Sequence, residues 1–166
     1  GNRDFLVGPR ALQACGMQAL DDPAVLEFLG QRWLLSHGDA LCLDDHEYLA
    51  FRNMVRSDGW QTAFLAEPLS HREAVARDLR ERSESRKRSL SHDPALWADV
   101  DPAEARRWLQ QAGTRTLIHG HTHRPATHDL GEGLQRVVLS DWDAAAQPIR
   151  ADVLRLDRHG LSHLQP

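Results

Sequence analysis

Hydrophobic and polar positions alternate along this chain in short blocks, and the period of each block predicts one element. Residues 24–29 (AVLEFL) are mostly apolar, and residues 31–37 (QRWLLSH) have an apolar centre of one Trp and two Leu. These two runs lie on either side of Gly30, and they predict two strands joined by a tight turn. Residues 10–16 (RALQACG) predict a short helix that ends at Gly16, because glycine readily adopts the left-handed conformation that follows many helices. The first forty positions therefore predict a helix followed by a strand hairpin.

The middle of the chain has the period of helices. Asp44 and Glu47 have the spacing of a capping box and predict the start of an amphipathic helix. Two more helices are predicted, a short one over residues 60–66 and a long charged one over residues 71–89. Because strand patterns precede and follow this segment, residues 44–100 are interpreted as a helical insertion.

The last third of the chain returns to strands after one more helix. Asp101 and Pro102 are start signals, and Gly113 is a stop signal, for a helix over residues 102–112. Residues 115–120 (RTLIHG) predict a buried strand. Three further strands are predicted from RVVLSD, RADVLRLD and GLSHLQ. The alternation of helices and strands predicts an α/β layered fold with an antiparallel addition near the end.

Composition excludes several classes of protein. With 166 residues, of which 41% are hydrophobic and 27% charged, the chain is long enough for one globular domain with its own core. No apolar run approaches the ~20 residues of a membrane span, and no signal-peptide pattern opens the chain, so we expect a cytoplasmic protein. The net charge of −4 argues against a nucleic-acid partner. Cys15 and Cys42 are too few for a disulfide framework or a thiolate metal site.

Three histidines lie within five residues in the stretch HGHTHRP, at positions 119–125. If this stretch is extended, His119, His121 and His123 point to the same side, since side chains alternate along a strand. A bound metal ion would use the lone pairs that such neighbouring imidazoles offer. The alternative interpretation is a solvated histidine-rich turn.

Polar groups follow several predicted strands, and ligands of open α/β sheets gather at the carboxyl ends of strands. Asn2, His37, His121 and His123 offer an amide oxygen and imidazole nitrogens, which suit Mn, Fe, Co, Ni or Zn. Because a structural zinc site usually contains cysteines, a catalytic site is favoured. The stretches concerned are GNRD (1–4), SHGD (36–39), GHTH (120–123) and SDWD (140–143).

Three of these stretches belong to longer motifs that resemble a known family. The motifs GNRDFL (1–6), HGDxLCxDDxxYxxFR (37–52) and IHGHTHRPxxH (118–128) resemble the C-terminal motif set of the calcineurin-like metallophosphoesterases. Within that superfamily they resemble the branch that hydrolyses the UDP-sugar lipid UDP-2,3-diacylglucosamine in lipid A biosynthesis of Gram-negative bacteria. The resemblance runs over nearly the whole chain and is weakest between about 67 and 112.

The resemblance implies a layered α/β sandwich with a helical cap. The core of the metallophosphoesterase would comprise residues 1–43 and 101–166, and residues 44–100 would form the cap over the active site. The family's Asp-x-His pair and Gly-Asp motif are expected before Gly1, so the chain resembles a C-terminal portion that lacks the N-terminal strands. We expect the isolated chain to be inactive or impaired.

The resemblance also implies a two-metal site and a reaction. Asn2, His37 and His121 would hold one divalent ion and His123 would contribute to the other, with Mn²⁺ as the expected metal. The reaction would be attack at the α-phosphorus, which yields UMP and 2,3-diacylglucosamine 1-phosphate (lipid X). Asp39 and His119 are predicted to orient the metal ligands without binding the ions themselves.

Substrate contacts are implied at six positions. They are Asn2, Arg3, Asp45, Ser83, Arg88 and His121. Asp45 could alternatively be the N-cap of the helix, but the sequence predicts Asp44 for that role. Residues 71–88 contain seven basic and four acidic side chains, which suggests either a solvated helix face or a surface for anionic headgroups on the cytoplasmic face of the inner membrane.

Two other functions compete with this interpretation. One is a different dinuclear-metal phosphoesterase or nucleotide pyrophosphatase that acts on soluble substrates, against which the stretch LCLDDHEYLAFR argues. The other is an inactive metal-binding fragment.

Overall fold

The computed structural model describes residues 4–90 and 98–164. The chain divides into two compact units, Gly1–Cys42 with Val100–Pro166, and Leu43–Asp99. The first unit, here called the sheet unit, contains all the strands of the described residues. The second, called the helical unit, contains helices.

The elements follow one another along the chain as short helices and strands. The helices are α1 (Pro9–Ala14), α2 (His46–Val55), α3 (Asp58–Ala66), α4 (Leu69–Leu90) and α5 (Pro102–Ala112), with a 3₁₀ turn at Asp39–Leu41. The strands are β1 (Ala24–Phe28), β2 (Gln31–Ser36), β3 (Thr116–His119), β4 (Thr127–Gly131), β5 (Leu134–Val138), β6 (Val153–Asp157) and β7 (Gly160–Leu164).

Five strands form one mixed sheet in the order β1-β2-β3-β5-β4. The three central strands β2, β3 and β5 run parallel, whereas β1 and β4 are antiparallel to their neighbours at the two edges. Strands β6 and β7 form a separate antiparallel pair. The predicted α/β fold and the antiparallel addition near the end of the chain are confirmed.

One face of the five-stranded sheet carries an apolar cluster. Trp33, Ile118 and Val137 are buried on β2, β3 and β5, and leucines of the β6–β7 pair pack against them. Burial of apolar surface is favourable, so this contact helps to hold the two-stranded sheet in place. The central strands stay aligned because each supplies one of these buried side chains.

Local signals in the sequence place several element ends correctly. Leu29 and Gly30 both have positive φ, 50° and 76°, which is the pattern of the two-residue hairpin turn expected between β1 and β2. The Asp101 carboxylate accepts a hydrogen bond from the Glu104 N–H at 2.7 Å and caps α5, which ends at Gly113 as predicted.

Strand β4 was not predicted. Its sequence, Thr127–Gly131 (THDLG), has neither a run of β-branched residues nor an apolar alternation. It is an edge strand that pairs with β5 across a turn at Glu132 and Gly133, both with positive φ. Backbone pairing with a buried neighbour, and not its own composition, makes this segment a strand.

The helical unit is built from α2, α3 and α4, and α2 contacts α3. Among the described residues of this unit, Val55 is the only buried one. The predicted N-cap of α2 was wrong by one residue: Asp45 caps the helix, and its carboxylate accepts from the Tyr48 N–H at 3.2 Å. Asp44 lies one residue too early to reach that N–H. Within the described ranges, no helix combines the length and the apolar character that crossing a membrane requires.

Candidate active site

Two parallel strands bring His37 and His121 into contact. In the register of β2 and β3, Ser36 lies opposite His119, so the segments that follow both strands start side by side. The Gly120 N–H donates to the His37 carbonyl at 3.2 Å and joins the two segments. The imidazole centroids are 5.1 Å apart with the rings inclined at 71°, and both side chains are half-buried. The structure therefore brings together two of the four predicted metal ligands.

The histidine stretch is not extended, so the expected alternation along one face is wrong. His119 is the last residue of β3, but His121 and His123 have positive φ, 63° and 52°. The Thr122 N–H donates to the Gly120 carbonyl at 2.7 Å and closes a three-residue turn around His121. This turn, and not strand alternation, directs His121 to His37.

His119 lies in the interior behind this pair. It is fully buried, with Nδ1 2.9 Å from the Gly120 carbonyl and Nε2 3.4 Å from Nη1 of Arg136. Gly38 covers the ring from the β2 side: its φ is 97°, and a Cβ there would lie 2.8 Å from Nδ1. Any residue other than glycine at 38 would collide with His119. The supporting role of His119 remains a prediction.

Sequence reasoning missed Asp22, which holds the segment that carries His37. One carboxylate oxygen of Asp22 accepts from the Ser36 hydroxyl at 2.6 Å and from the His37 N–H at 3.3 Å. The signal was present, because a hairpin in which Phe28 pairs with Gln31 places residue 22 opposite residue 37.

The other predicted residues of the sheet unit differ in how far they are buried. Asp39 is fully buried at the start of the 3₁₀ turn, and its orienting role remains a prediction. His123 is exposed. Arg150 donates to both carboxylate oxygens of Asp141 and lowers the pKa of that group below its usual range, and the charge of His123 makes a smaller contribution. Asn2 and Arg3 lie outside the described residues.

Three predicted substrate contacts belong to the helical unit. Asp45 caps α2, Ser83 is half-buried on α4, and the side chain of Arg88 lies outside the described residues. Their contacts with a substrate remain predictions.

The donor set of the site suits a divalent metal. Two imidazoles in contact offer nitrogen donors, which Mn, Fe, Co, Ni and Zn accept. Within residues 4–90 and 98–164, no group of three or more His, Cys, Asp and Glu side chains is arranged to hold an ion. The amide of Asn2 is the predicted further donor.

The curated relatives reported for this chain share one name. No family model matches the chain. The chain is 46% identical over 164 residues to a UDP-2,3-diacylglucosamine hydrolase of Chromobacterium violaceum. The aligned region covers 99% of this chain and 66% of that protein. It is 43% identical over 169 residues to proteins of the same name from Xanthomonas oryzae and Xanthomonas campestris. The chain thus spans 66% of the length of these relatives.

Proposed function

The chain belongs to the UDP-2,3-diacylglucosamine hydrolase family, and we propose that its residues serve the hydrolysis of UDP-2,3-diacylglucosamine at the α-phosphorus. The products are UMP and 2,3-diacylglucosamine 1-phosphate. The observation that carries this proposal is the contact between His37 and His121 at adjacent strand ends, within a chain matched over 98–99% of its length by these hydrolases.

The finer fold proposed is the layered sandwich of the calcineurin-like metallophosphoesterases. Three parallel central strands and polar loops after β2 and β3 support it, since open α/β sheets bind ligands at the carboxyl ends of their strands.

The proposed cofactors are two divalent ions, with Mn²⁺ as the expected metal. Asn2, His37 and His121 are assigned to one ion, and His123 to the other. When bound, such ions supply positive charge to phosphate oxygens and acidify a water molecule. The chain's own residues hold the ligands: Asp22 fixes the backbone of His37, and the turn closed by Thr122 directs His121.

Substrate recognition is assigned to side chains that fit a phosphorylated sugar lipid. Arg3 is proposed as a phosphate contact because a guanidinium can donate two hydrogen bonds to one phosphate group. Asp45, Ser83 and Arg88 are assigned by resemblance to further contacts with the substrate.

Peripheral association with the cytoplasmic face of the inner membrane is also proposed. Arg77 and Arg80 are exposed on α4, and basic side chains near anionic lipid contribute about 1 kcal/mol each. Sedimentation with phosphatidylglycerol vesicles should recover more protein than sedimentation with phosphatidylcholine vesicles. Replacing both arginines by Gln should reduce the recovered fraction, and unchanged recovery would contradict the proposal.

The test of the activity uses the extended chain, defined as this chain joined to the part of the Chromobacterium violaceum relative that it does not match. With Mn²⁺ it should release UMP from UDP-2,3-diacylglucosamine, and it should leave UDP-glucosamine, the matched substrate without acyl chains, almost untouched. The chain without that segment should release little UMP. Equal hydrolysis of both substrates would favour a general nucleotide pyrophosphatase, and no hydrolysis of either would refute the proposed function.

A further inference from the structure

Arg136 reaches the buried ring of His119 from the neighbouring strand. On β5, Val138 is the register partner of His119, and Arg136 lies two residues earlier on the same side of the strand. Arg136 is 5% exposed and His119 is fully buried. Arg136 Nη1 lies 3.4 Å from His119 Nε2 in this interior.

The chemistry of the two groups decides where the proton of the imidazole lies. A guanidinium carries only hydrogen-bond donors, so His119 Nε2 must be the acceptor of this contact. In a neutral imidazole the other nitrogen then carries the proton, and Nδ1–H donates to the Gly120 carbonyl at 2.9 Å.

The Gly120 carbonyl is the point at which this contact meets the candidate site. It also accepts the Thr122 N–H at 2.7 Å, the bond that closes the turn around His121. A turn with positive φ at its central residue is strained for a non-glycine residue, so it persists only when its surroundings hold it. The Gly120 N–H donates in turn to the His37 carbonyl.

We propose that Arg136 is a positioning residue: it keeps His119 in the Nδ1–H tautomer, whose proton holds the Gly120 carbonyl and thereby the turn that presents His121 to His37. The catalytic part of this inference rests on the proposed function. The tautomer and the turn do not depend on it.

The first experiment measures the tautomer in the 166-residue chain by ¹⁵N NMR of the histidine rings. The native His119 ring should be neutral, with Nδ1 protonated and Nε2 bare. Arg136→Met removes the donor and should introduce the Nε2–H tautomer. Arg106→Met is the matched control, because Arg106 donates to the Leu130 carbonyl at 3.2 Å within the same unit, and it should leave the His119 signals unchanged. A native ring protonated at Nε2, alone or together with Nδ1, would overturn the proposal.

The second experiment compares hydrolysis by the extended chain and its variants. Arg136→Met should lower kcat about 10- to 100-fold, which is the usual effect of replacing a residue that orients metal ligands. The KM should stay within about twofold of the parental value. Arg136→Lys restores a donor and should recover part of the lost kcat, and Arg106→Met should retain full activity. Full kcat in a folded Arg136→Met protein would contradict the positioning role.

The same measurements also cover two cases in which a protein fails to fold or to act. If Arg136→Met does not fold, the native NMR spectrum together with the kcat of Arg136→Lys tests the proposal. If the unsubstituted extended chain does not hydrolyse the lipid, the proposed function fails, and the NMR result still decides whether Arg136 sets the His119 tautomer.

Discussion

The two units of this chain differ in burial and in the sequence distance over which a carboxylate holds other residues. All four residues of β3 in the sheet unit are buried, whereas none of the residues of α3 in the helical unit is. In the sheet unit, the Asp22 carboxylate holds residues 14 and 15 positions further along the chain. In the helical unit, the Asp45 carboxylate holds a backbone N–H only three positions away. The same side-chain chemistry therefore serves long-range positioning in one unit and local helix capping in the other.

This difference predicts how far the effect of a substitution extends. A change at the strand ends of the sheet unit breaks contacts that several segments share, so its effect should extend beyond the substituted residue. A change at a helix end in the helical unit removes one local bond and should act near that bond. Substitutions in both units test this contrast.

The largest effect is expected from His121→Ala in the extended chain. Removing one of the two contacting imidazoles should lower hydrolysis by on the order of a thousandfold, equivalent to about 4 kcal/mol of barrier. The circular dichroism spectrum should stay close to that of the parent, because His121 lies in a turn beyond the end of β3. Hydrolysis near the parental rate would show that His121 has no part in the site.

Gly38→Ala should destabilise the sheet unit by about 3 kcal/mol, measured by urea unfolding of the 166-residue chain. The reason is twofold: φ at Gly38 is 97°, and the new Cβ would lie 2.8 Å from His119 Nδ1. Gly16→Ala is the matched control, since its φ is 63° but a Cβ there meets nothing within 4 Å. The control should lose about 1 kcal/mol. Equal losses at both positions would show that contact with His119 is unimportant.

Three variants at the start of α2 separate helix capping from substrate contact. Asp45→Ala should destabilise the helix by about 1 kcal/mol, whereas Asp45→Asn keeps the cap and should be nearly neutral. Asp44→Ala should have little effect on stability. In the extended chain, a raised KM for Asp45→Asn would show that the charge of Asp45 contacts the substrate. An unchanged KM in that variant would leave Asp45 as a helix cap alone.

The smallest effect is expected at the surface cluster of Asp141, Asp143 and Arg150. Arg150 lowers the pKa of Asp141, so this carboxylate adds stability at pH values above the pKa that it has in the unfolded chain. That stability is lost as the pH falls through the lower folded-state pKa. Arg150→Gln should therefore lower stability at neutral pH, and acid unfolding should begin at a higher pH. The difference from the parent should vanish once Asp141 is protonated in both proteins. A constant difference at all pH values would contradict this assignment.

The parts of the fold that were predicted correctly depend on residues close together in sequence. The turn at Leu29 and Gly30 needs two positive φ angles, and the ends of α5 are specified by Asp101 and Gly113. By contrast, β4 was missed because its strand conformation comes from pairing with β5. The cap of α2 was misassigned because Asp44 and Asp45 are chemically identical, and only the path of the backbone decides which one reaches the Tyr48 N–H.

The candidate site divides in the same way. The residue types of the candidate site, and their place after strands, can be read from the sequence alone, because the motifs around His37 and His121 are contiguous and the apolar runs before them predict strands. Only the tertiary structure decided that His37 meets His121, that the histidine stretch turns instead of extending, and that Asp22 and Arg136 hold the two strand ends. The reason is physical: these contacts depend on the register of β2, β3 and β5, which is set by packing of the shared apolar face and not by any local preference of the residues concerned.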